Sequence, residues 1–439
     1  MSHTYDLAIV GMGPAGLGLA ESLLHTETIK NTICFERGFD LGRGYCANVN
    51  NGNCCQSEAC HVVSGISGSS NLSSGKISCF PAGSGLVDFF ESEQHLKNVM
   101  LDIVKNYMRD VNLKKVDIND TLVCEVERQY KLSGIEFKYY DVYEFEDDNY
   151  RQFFLKRIQK LVDAGLCIQT NTEVVDIYFE KSTRDYIITV NNNAVLHQYK
   201  ARNVVIAIGA NEIQENLLQQ IDNDIRVDYE IGVRVEAEAE CFGEALNTHG
   251  DLKLKYDLGR TYCVTKQGAI VSYRSRGLHF LEGYVEAKNQ TRYSNLAVLI
   301  KQNGSINLSE ILCCYREKFR GEPVKQRYVD FLNNVISSSA PSTTLASAKN
   351  GNINEIFPAS VNQFIRDFIE HVLIEAMHMD RDKLTLVAPE LKLLNSITLS
   401  KQFELAPNLY VIGAATGKFR GILQSFCSGL KCGQNILRR

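Results

Sequence analysis

The chain has 439 residues, of which 44% are hydrophobic and 23% are charged. This composition is ordinary for a globular protein, and the length is sufficient for two or three domains. The net charge is −5 at pH 7 with no basic block, so we expect no nucleic-acid partner. No apolar run approaches the roughly eighteen residues that a membrane-spanning helix needs, and no basic segment precedes the first apolar stretch. We therefore expect a cytoplasmic protein with no membrane partner.

The first predicted strand, residues 7–10, runs directly into a glycine-rich turn. Gly11, Gly13 and Gly16 have the spacing G-x-G-x-x-G, and a helical pattern continues to about residue 24. The first glycine permits a tight turn, the second lets backbone amides approach a pyrophosphate, and the third lets the helix pack on the strand. The helix N-terminus offers free N–H groups and a partial positive charge. This pattern predicts a dinucleotide site formed by Gly11, Gly13, Pro14, Ala15 and Gly16.

An acidic residue stands at the distance expected for a ribose contact. Glu36 follows a second short strand, residues 32–35, and lies twenty residues after Gly16. A carboxylate at this position accepts hydrogen bonds from the hydroxyls of an adenosine ribose, and Arg37 lies beside it. A glycine-rich turn without a ligand remains the alternative interpretation. The order of strand, turn, helix and acid favours the dinucleotide site.

The middle of the chain combines a long polar stretch with helices and strands. Residues 38–86 are rich in Gly, Ser, Asn and Cys, and a loop of this length inside a compact domain is usually functional or disordered. Amphipathic patterns predict helices over 92–109 and 150–164. The run 203–208 is apolar on both faces and ends at Gly209. Such a run is typical of a buried parallel strand that leads to a ligand site.

The pattern changes after about residue 225. Short alternating strands, such as 231–235 and 296–300, predict an antiparallel sheet in a separate substrate domain. A buried strand over 408–412 then leads into the turn from Gly413 to Gly417. The predicted fold class is α/β. A Rossmann-like domain of parallel strands and helices is formed by residues 1–224 and 371–439, and an inserted α+β domain rich in antiparallel strands is formed by residues 225–370.

Three separated segments carry a resemblance to a known family. They are Gly-Met-Gly-Pro-Ala-Gly with Glu36 and Arg37, the strand ending at Gly209, and Tyr-Val-Ile-Gly-Ala-Ala-Thr-Gly near the C-terminus. Together they resemble flavoproteins of the two-dinucleotide-binding-domain type, and more closely the NAD(FAD)-utilising family of FAD-dependent dehydrogenases. The resemblance spans most of the chain and implies bound FAD, but it does not name the substrate. It is most specific at Gly75-Lys76 and over residues 260–263, 364–368, 390–392 and 417–425.

The resemblance implies a contact zone for each part of FAD. The first three glycines would hold the pyrophosphate, Glu36 the ribose, and the backbone of Val174 the adenine. The turn from Gly413 would follow the ribityl chain, and the helix starting at Gly421 would stabilise a reduced, anionic flavin through its dipole. Further cofactor contacts implied in this way are Arg37, Gly75, Gly209, Thr416, Gly417, Ile422 and Leu423.

One position departs from the pattern of such flavoproteins. Where related chains usually carry an aspartate, directly after the first glycine of the C-terminal turn, this chain has Ala414. The change removes one polar contact, normally worth about 0.5–1.5 kcal/mol. We therefore expect weaker retention of FAD rather than its loss.

Five of the 14 cysteines fall in one short region. A redox dithiol beside the flavin is one interpretation, because Cys55 and Cys60 have the spacing Cys-x4-Cys. A metal or iron–sulfur site is a second interpretation, although the spacing fits no standard motif and we predict no metal. Free thiols in a loop are the third. The cysteines concerned are Cys46, Cys54, Cys55, Cys60 and Cys79, of which Cys46 is a candidate catalytic residue.

Three further side chains are candidates for chemistry. Lys76 is a candidate to hydrogen-bond the flavin nitrogen that accepts hydride or to hold an anionic substrate, with a phosphate or surface contact as the alternative. Arg260 has the geometry to pair with a substrate carboxylate, and a structural role is the alternative. His279 falls in the predicted substrate domain and is the third candidate catalytic residue of this group.

The predicted function is an FAD-dependent oxidoreductase that passes hydride or electrons between a small organic substrate and the flavin. Gly209 begins no second G-x-G-x-x-G motif, so no dedicated NAD(P)H domain is predicted. NAD(P)H is a candidate transient reductant that would enter the substrate cleft, and a redox partner protein is a candidate in its place. The alternatives are a non-catalytic or sensing flavin-fold protein and a flavin-dependent RNA-modifying enzyme. The acidic charge balance argues against the last.

Overall fold

The computed structural model describes most of the chain, and the candidates Cys46 and Gly75 lie outside the described residues. Among the described residues, no helix combines the length and apolar character needed to cross a membrane. The described ranges are residues 3–39, 54–57, 59–72, 76–116, 120–146, 149–210, 217–222, 224–243, 251–285, 289–302 and 306–438.

The strands and helices are numbered here in chain order. The strands are β1 (Thr4–Val10), β2 (Thr32–Phe35), β3 (Lys76–Ser78), β4 (Leu113–Lys115), β5 (Glu136–Lys138), β6 (Val142–Phe145), β7 (Cys167–Gln169), β8 (Thr172–Glu180), β9 (Asp185–Asn192), β10 (Val195–Ile206), β11 (Arg226–Glu238), β12 (Lys253–Tyr256), β13 (Gly259–Thr265), β14 (Ala269–Ser275), β15 (Leu278–Tyr284), β16 (Tyr293–Gln302), β17 (Val324–Arg327), β18 (Lys349–Asn350), β19 (Thr385–Ser396), β20 (Glu404–Ala406) and β21 (Leu409–Val411). The α-helices are α1 (Pro14–Leu23), α2 (Glu93–Asp102), α3 (Asp120–Leu132), α4 (Asn149–Asp163), α5 (Leu217–Ile221), α6 (Leu308–Phe319), α7 (Tyr328–Leu332), α8 (Ala359–Phe368) and α9 (Ile422–Leu437).

The first sheet has a parallel centre. Its main order is β20-β21-β10-β1-β2-β7, in which β21, β10, β1, β2 and β7 run parallel. β9 pairs antiparallel with β10, and β8 with β9. Alternate residues of β1 enter different apolar clusters: Leu7 and Ile9 pack with α1 and α9, and Ala8 and Val10 with β8–β10. Burial on both faces explains why this strand is apolar throughout.

Helices α1 and α9 cross in close contact on one face of this sheet. A Cβ atom on Gly429 would lie 2.0 Å from the carbonyl oxygen of Ala15, and one on Gly18 would lie 2.1 Å from that of Phe426. Glycine on each helix therefore lets the two backbones approach. The crossing holds the first and last helices of the chain together.

The second sheet is almost entirely antiparallel. Its order is β18-β17-β19-β11-β16-β13-β12-β5, with β17 and β18 as its parallel pair. This arrangement confirms the predicted α/β fold with a domain rich in antiparallel strands. Smaller sheets are formed by β14 with β15 and by β3, β6 and β4.

Two strands of the second sheet come from segments that the sequence-based boundaries place elsewhere. β19 lies beyond residue 370, yet it pairs with β11 from Arg226–Ser396 to Glu236–Thr385. β5 precedes residue 224, yet it pairs with the edge strand β12. β19 is buried along most of its length, and such a strand has the same pattern in either sheet, so the sequence does not reveal its partner. β5 has only three residues, which are too few to show a pattern.

Candidate functional site

A cleft of about 500 Å³ opens at the carboxyl ends of the parallel strands and is closed by the second sheet. Residues at or just after the ends of β1, β2, β10 and β21 line one side, and β13, β15 and β19 line the other. In open α/β sheets, ligands bind at the carboxyl ends of the parallel strands. The volume falls in the range of small-molecule sites, which is about 300–1,000 Å³.

The glycine turn at the start of the cleft is shaped by close backbone contacts. Gly11 has a φ of +99°, and a Cβ atom there would lie 2.7 Å from the Ala207 carbonyl oxygen. A Cβ atom on Gly16, which lies behind the cleft wall, would be 2.1 Å from the Gly11 carbonyl oxygen. Gly13 differs, because a Cβ atom there would meet Gly68 Cα at 4.0 Å. Packing thus requires the first and third glycines, whereas the second faces the open cleft.

Helix α1 begins at this turn and offers backbone donors to the cleft. Gly13 is its N-cap residue, Pro14 is its first residue, and no side chain of the described ranges caps the helix. Gly13, Pro14 and Ala15 all line the cleft. The first amides of a helix have no intrahelical acceptor and carry a partial positive charge. They are therefore available to an anionic group in the cleft.

Backbone hydrogen bonds hold the Glu36 carboxylate at the end of β2. Oε2 accepts from the Met12 amide at 2.9 Å, and Oε1 accepts from the Gly38 and Gly65 amides at 2.9 Å each. Glu36 is 5% exposed and lines the cleft. An ionised carboxylate has about four acceptor positions, so about one stays available to a donor in the cleft.

The neighbours of Glu36 complete this end of the cleft. Arg37 Nη2 donates to Ser64 Oγ at 3.4 Å, and its Nη1 lies 4.0 Å from Glu173 Oε1. Val174, on β8, lines the same region. Gly209 follows β10 with a φ of +73° and also lines the cleft. The structure thus brings together predicted residues from three separate segments of the chain, near positions 36, 174 and 209.

The turn after β21 is the second backbone wall. Gly413 has a φ of +67°, and a Cβ atom there would lie 2.8 Å from Ala15 Cβ. Gly417 has a φ of +69°, and a Cβ atom there would lie 1.8 Å from the Asn395 carbonyl oxygen. Thr416 is buried and donates from Oγ1 to the Gly413 carbonyl oxygen at 2.8 Å. Gly413, Ala414 and Gly417 line the cleft, whereas Thr416 shapes the turn from behind.

Helix α9 presents a second N-terminus to the cleft. Its N-cap is Gly421, with a φ of +114°, and no described side chain caps it. Gly421 and Ile422 line the cleft, whereas Leu423 is fully buried behind them. Two helix N-termini therefore point their free amides into one cavity.

Lys76 links β3 to the second sheet at the cleft. Its Nζ donates to Asp251 Oδ1 at 2.8 Å and to the Val264 carbonyl oxygen. The other oxygen of Asp251 accepts from the Tyr140 hydroxyl at 2.5 Å. Lys76, Tyr140 and Asp251 all line the cleft. Lys76 thus lies beside the cleft, with its charge paired to a carboxylate.

Arg260 also lines the cleft, and its guanidinium is paired. Nε and Nη2 donate to the two carboxylate oxygens of Glu230, at 2.8 and 2.5 Å. The guanidinium carbon lies 4.7 Å from the centre of the Tyr262 ring. Burial alone would raise the pKa of Glu230, but the hydrogen bond and charge of Arg260 outweigh it and hold that pKa below its ordinary value. This geometry matches the structural alternative for Arg260.

His279 does not reach the cleft. It lies on β15, where its Nδ1 is 3.4 Å from Ser272 Oγ and its carbonyl oxygen accepts from the Tyr315 hydroxyl at 2.8 Å. Burial lowers its pKa. Its place in a packed hairpin corrects the expectation that it acts on a substrate in the cleft.

The described cysteines of the predicted cluster do not line the cleft either. These are Cys54, Cys55, Cys60 and Cys79, of which Cys55 is exposed and Cys60 is buried. Cys60 Sγ accepts from the Arg274 amide at 3.2 Å. Burial raises the pKa of Cys79 to about 12, which disfavours a reactive thiolate. The described part of the chain therefore places no redox dithiol in the cleft.

A buried ionic network that the sequence analysis did not predict lies beneath the side of the cleft that β13, β15 and β19 form. Arg234 binds Glu390 through two hydrogen bonds of 2.6 and 2.8 Å, and Lys392 Nζ lies 3.3 Å from the same carboxylate. Lys392 also pairs with Glu282, which lines the cleft. Arg234, Glu390 and Lys392 have side chains that are 0% exposed. Two charges at i and i+2 in the apolar strand β19 were the available signal, because they share one face.

The parallel sheet, the glycine turn and the carboxylate at the end of β2 define a nucleotide-binding type of α/β fold. No protein-family model and no curated protein matches the sequence. Among solved structures, similarity extends to glycine oxidase from Geobacillus kaustophilus (12% identity, 100% of this chain, 96% of that chain, TM-score 0.41). It also extends to L-alpha-glycerophosphate oxidase from Mycoplasma pneumoniae with FAD bound (10% identity, 100% of this chain, 95% of that chain, TM-score 0.45). A third similar structure is a flavoprotein/dehydrogenase from Cytophaga hutchinsonii (10% identity, 99% of this chain, 78% of that chain, TM-score 0.41). These TM-scores are below 0.5, so the family of this chain does not follow from them.

Proposed function

We propose that this chain binds FAD in the cleft and is an FAD-dependent oxidoreductase acting on a small organic substrate. One observation carries the proposal. A single continuous cavity joins the Glu36 carboxylate, the N-termini of α1 and α9, and polar side chains of the second sheet. These groups supply an acceptor for a ribose, donors for a pyrophosphate and a separate polar wall for a second molecule.

The residues fit each chemical part of FAD. Glu36 has an acceptor position for a ribose hydroxyl, and the open face of Gly13 admits a phosphate to the first amides of α1. The uncapped start of α9 at Gly421 stabilises negative charge on the ring of the cofactor. When bound, FAD supplies the electron-accepting group. The chain binds it, orients it and excludes water around it.

The second sheet holds the substrate in this proposal. Tyr262, Glu282 and Lys76 line the part of the cavity that the second sheet closes, and the charged atoms of Glu282 and Lys76 are fixed by ion pairs. Fixed charges in a cavity that excludes water orient a polar ligand without reorganising during the reaction. Membership of the NAD(FAD)-utilising family is the finer part of the proposal, supported by the sequence resemblance.

Anaerobic spectroscopy of the purified protein tests the proposal and its electron donor. We expect a flavin absorbance spectrum that dithionite bleaches. Bleaching by NADH or NADPH would identify a nicotinamide as the transient reductant, and bleaching by dithionite alone would favour a redox partner protein. Protein that neither retains FAD nor takes it up on addition would refute the proposal. A bound flavin that dithionite does not reduce would favour a non-catalytic role.

A further inference from the structure

The positive charges of the cleft follow a common pattern. Four of the six basic residues that line the described part of the cleft are paired with carboxylates of the chain itself, at N–O distances of 4.0 Å or less, and a fifth, Arg420, donates to the Leu393 carbonyl oxygen. A buried or half-buried charge is expensive unless a partner compensates it. The pairs are Lys76 with Asp251, Arg260 with Glu230, Arg37 with Glu173 and Lys418 with Asp88.

Lys253 breaks this pattern. It is the first residue of β12 and lines the cleft, and within the described ranges its side chain has no ion pair or hydrogen bond. The carboxylate of Asp251, two residues earlier, is already bonded to Lys76 and to Tyr140. Lys253 therefore lines the cavity with an ammonium group that makes no ion pair within 4.0 Å to a described carboxylate, and the charges of Asp251 and Glu230 act on it at longer range.

The strand register shows which way Lys253 faces. Lys255 pairs with Arg260 across β12 and β13, so Lys253 is on the same face as Arg260, two residues along β12. Leu254 has the opposite orientation and is fully buried. Lys253 thus belongs to the polar face of the second sheet that closes the cavity.

The electrostatic surroundings of Lys253 favour an anion beside it. Burial is the largest of the effects that lower its pKa to about 8, and the positive charges of Arg260, Lys138 and Lys255 contribute in the same direction, against the opposing charge of Asp251. An ammonium group in these surroundings gains from an anionic partner, because the partner replaces lost hydration.

We propose that the cleft binds an organic carboxylate whose charge is compensated by Lys253. This inference rests on the proposed function, since the carboxylate is the substrate or product held beside FAD. One ammonium group matches a single negative charge. A phosphate monoester carries up to two, and the carboxylates of Asp251 and Glu282, which line the same cleft, would repel the second. The observations therefore favour a carboxylate over a phosphate.

Calorimetric titration of the FAD-loaded protein with small anions tests the inference. The probes are propionate, succinate and benzoate, each compared with its uncharged amide, and inorganic phosphate. At least one carboxylate should bind measurably more tightly than its amide and than phosphate. Lys253→Met should weaken that binding at least about ten-fold, whereas Lys253→Arg, which keeps the charge, should stay within about three-fold of the parent.

Lys255→Met is the matched control. Lys255 lies on the same strand, outside the cleft lining, with its Nζ 3.6 Å from Glu136 Oε2. Its replacement should leave carboxylate affinity unchanged. Equal binding by the parent and Lys253→Met, tighter binding of phosphate, or no binding of any carboxylate would each overturn the inference. FAD content is measured first on every sample. Failure to bind FAD would contradict the proposed function. Failure of the FAD-loaded protein to bind a carboxylate would contradict the inference alone.

Discussion

At the scale of single residues, Glu36 is the side chain on which cofactor binding depends most. Its two oxygens accept from three backbone amides. Glu36→Gln would turn an amide NH₂ toward those donors, and a lost hydrogen bond to a charged group costs about 1.5–3 kcal/mol. We expect FAD affinity to fall about ten- to one-hundred-fold, measured by quenching of flavin fluorescence.

The control for this change is Glu173→Gln. Glu173 also lines the cleft, but its carboxylate is partly exposed and lies 4.0 Å from Arg37. An exposed pair at this distance contributes about 0–1 kcal/mol, so FAD affinity should change less than about five-fold. Equal losses in the two variants would show that Glu36 has no special part in binding.

Ala414 offers a gain-of-affinity test. It lines the cleft in the turn between Gly413 and Gly417, at the position where the flavoproteins that the sequence resembles carry an aspartate. Ala414→Asp restores one polar contact, worth about 0.5–1.5 kcal/mol. Tighter FAD binding, by about two- to ten-fold, is the expected outcome in the same fluorescence titration. Weaker binding would mean that the cofactor does not approach this turn.

Lys253 provides a pH-dependent readout at the same scale. Burial lowers its pKa to about 8, and Arg260, Lys138 and Lys255 act in the same direction against Asp251. The ammonium form binds the anion, so carboxylate affinity should fall as the pH rises through about 8. Lys253→Arg should remove this dependence, because an arginine stays charged. A pH dependence that persists in Lys253→Arg would assign the titration to another group.

The residues of the site differ in how far the sequence reveals them. Gly11, Gly13 and Glu36 form one local strand–turn–helix pattern, and the sequence predicts them because their contacts are close along the chain. Lys76 reaches Asp251 across 175 positions, and no short-range pattern records such a contact. His279 was selected by residue type alone, and tertiary packing places it in a hairpin outside the cleft.

At the scale of secondary-structure elements, the crossing of α1 and α9 positions both helix N-termini. A methyl group on Gly429 would lie 2.0 Å from the Ala15 carbonyl oxygen, so Gly429→Ala must push the helices apart. Overpacking of this kind costs about 1–3 kcal/mol. We expect a lower midpoint in urea unfolding together with weaker FAD binding. Gln434→Ala, at an exposed position of α9, should change neither property.

The ionic network of β11, β15 and β19 gives a second test at this scale. Lys392→Met would leave the buried carboxylate of Glu390 and the partly buried carboxylate of Glu282 without their shared partner. Breaking a buried pair in this way costs about 3–5 kcal/mol, measured by urea unfolding. Lys401→Met, at an exposed position, is the control. The double variant Lys392→Met with Glu282→Gln should recover part of the loss, and no recovery would mean that the two side chains are not coupled.

At the scale of the whole molecule, the cleft is formed by segments from nearly the full length of the chain. The first sheet and the helices α1 and α9 contribute strand ends and two helix N-termini, and the second sheet contributes a wall of paired charges. The sequence predicts the two kinds of sheet from their periodicities. It does not predict that β19 crosses from one region to the other, because strand pairing is decided by long-range packing.

Titration of FAD into the apo protein tests the central claim most directly, with the parent and Gly13→Ala side by side. A Cβ atom at Gly13 would meet Gly68 Cα at 4.0 Å, an ordinary contact, so the variant should fold with an unchanged midpoint. The added methyl group would occupy the space through which a pyrophosphate approaches α1. The account predicts one FAD per chain for the parent and at least ten-fold weaker binding for Gly13→Ala. Absence of saturable binding, or equal affinity in the two proteins, would contradict it.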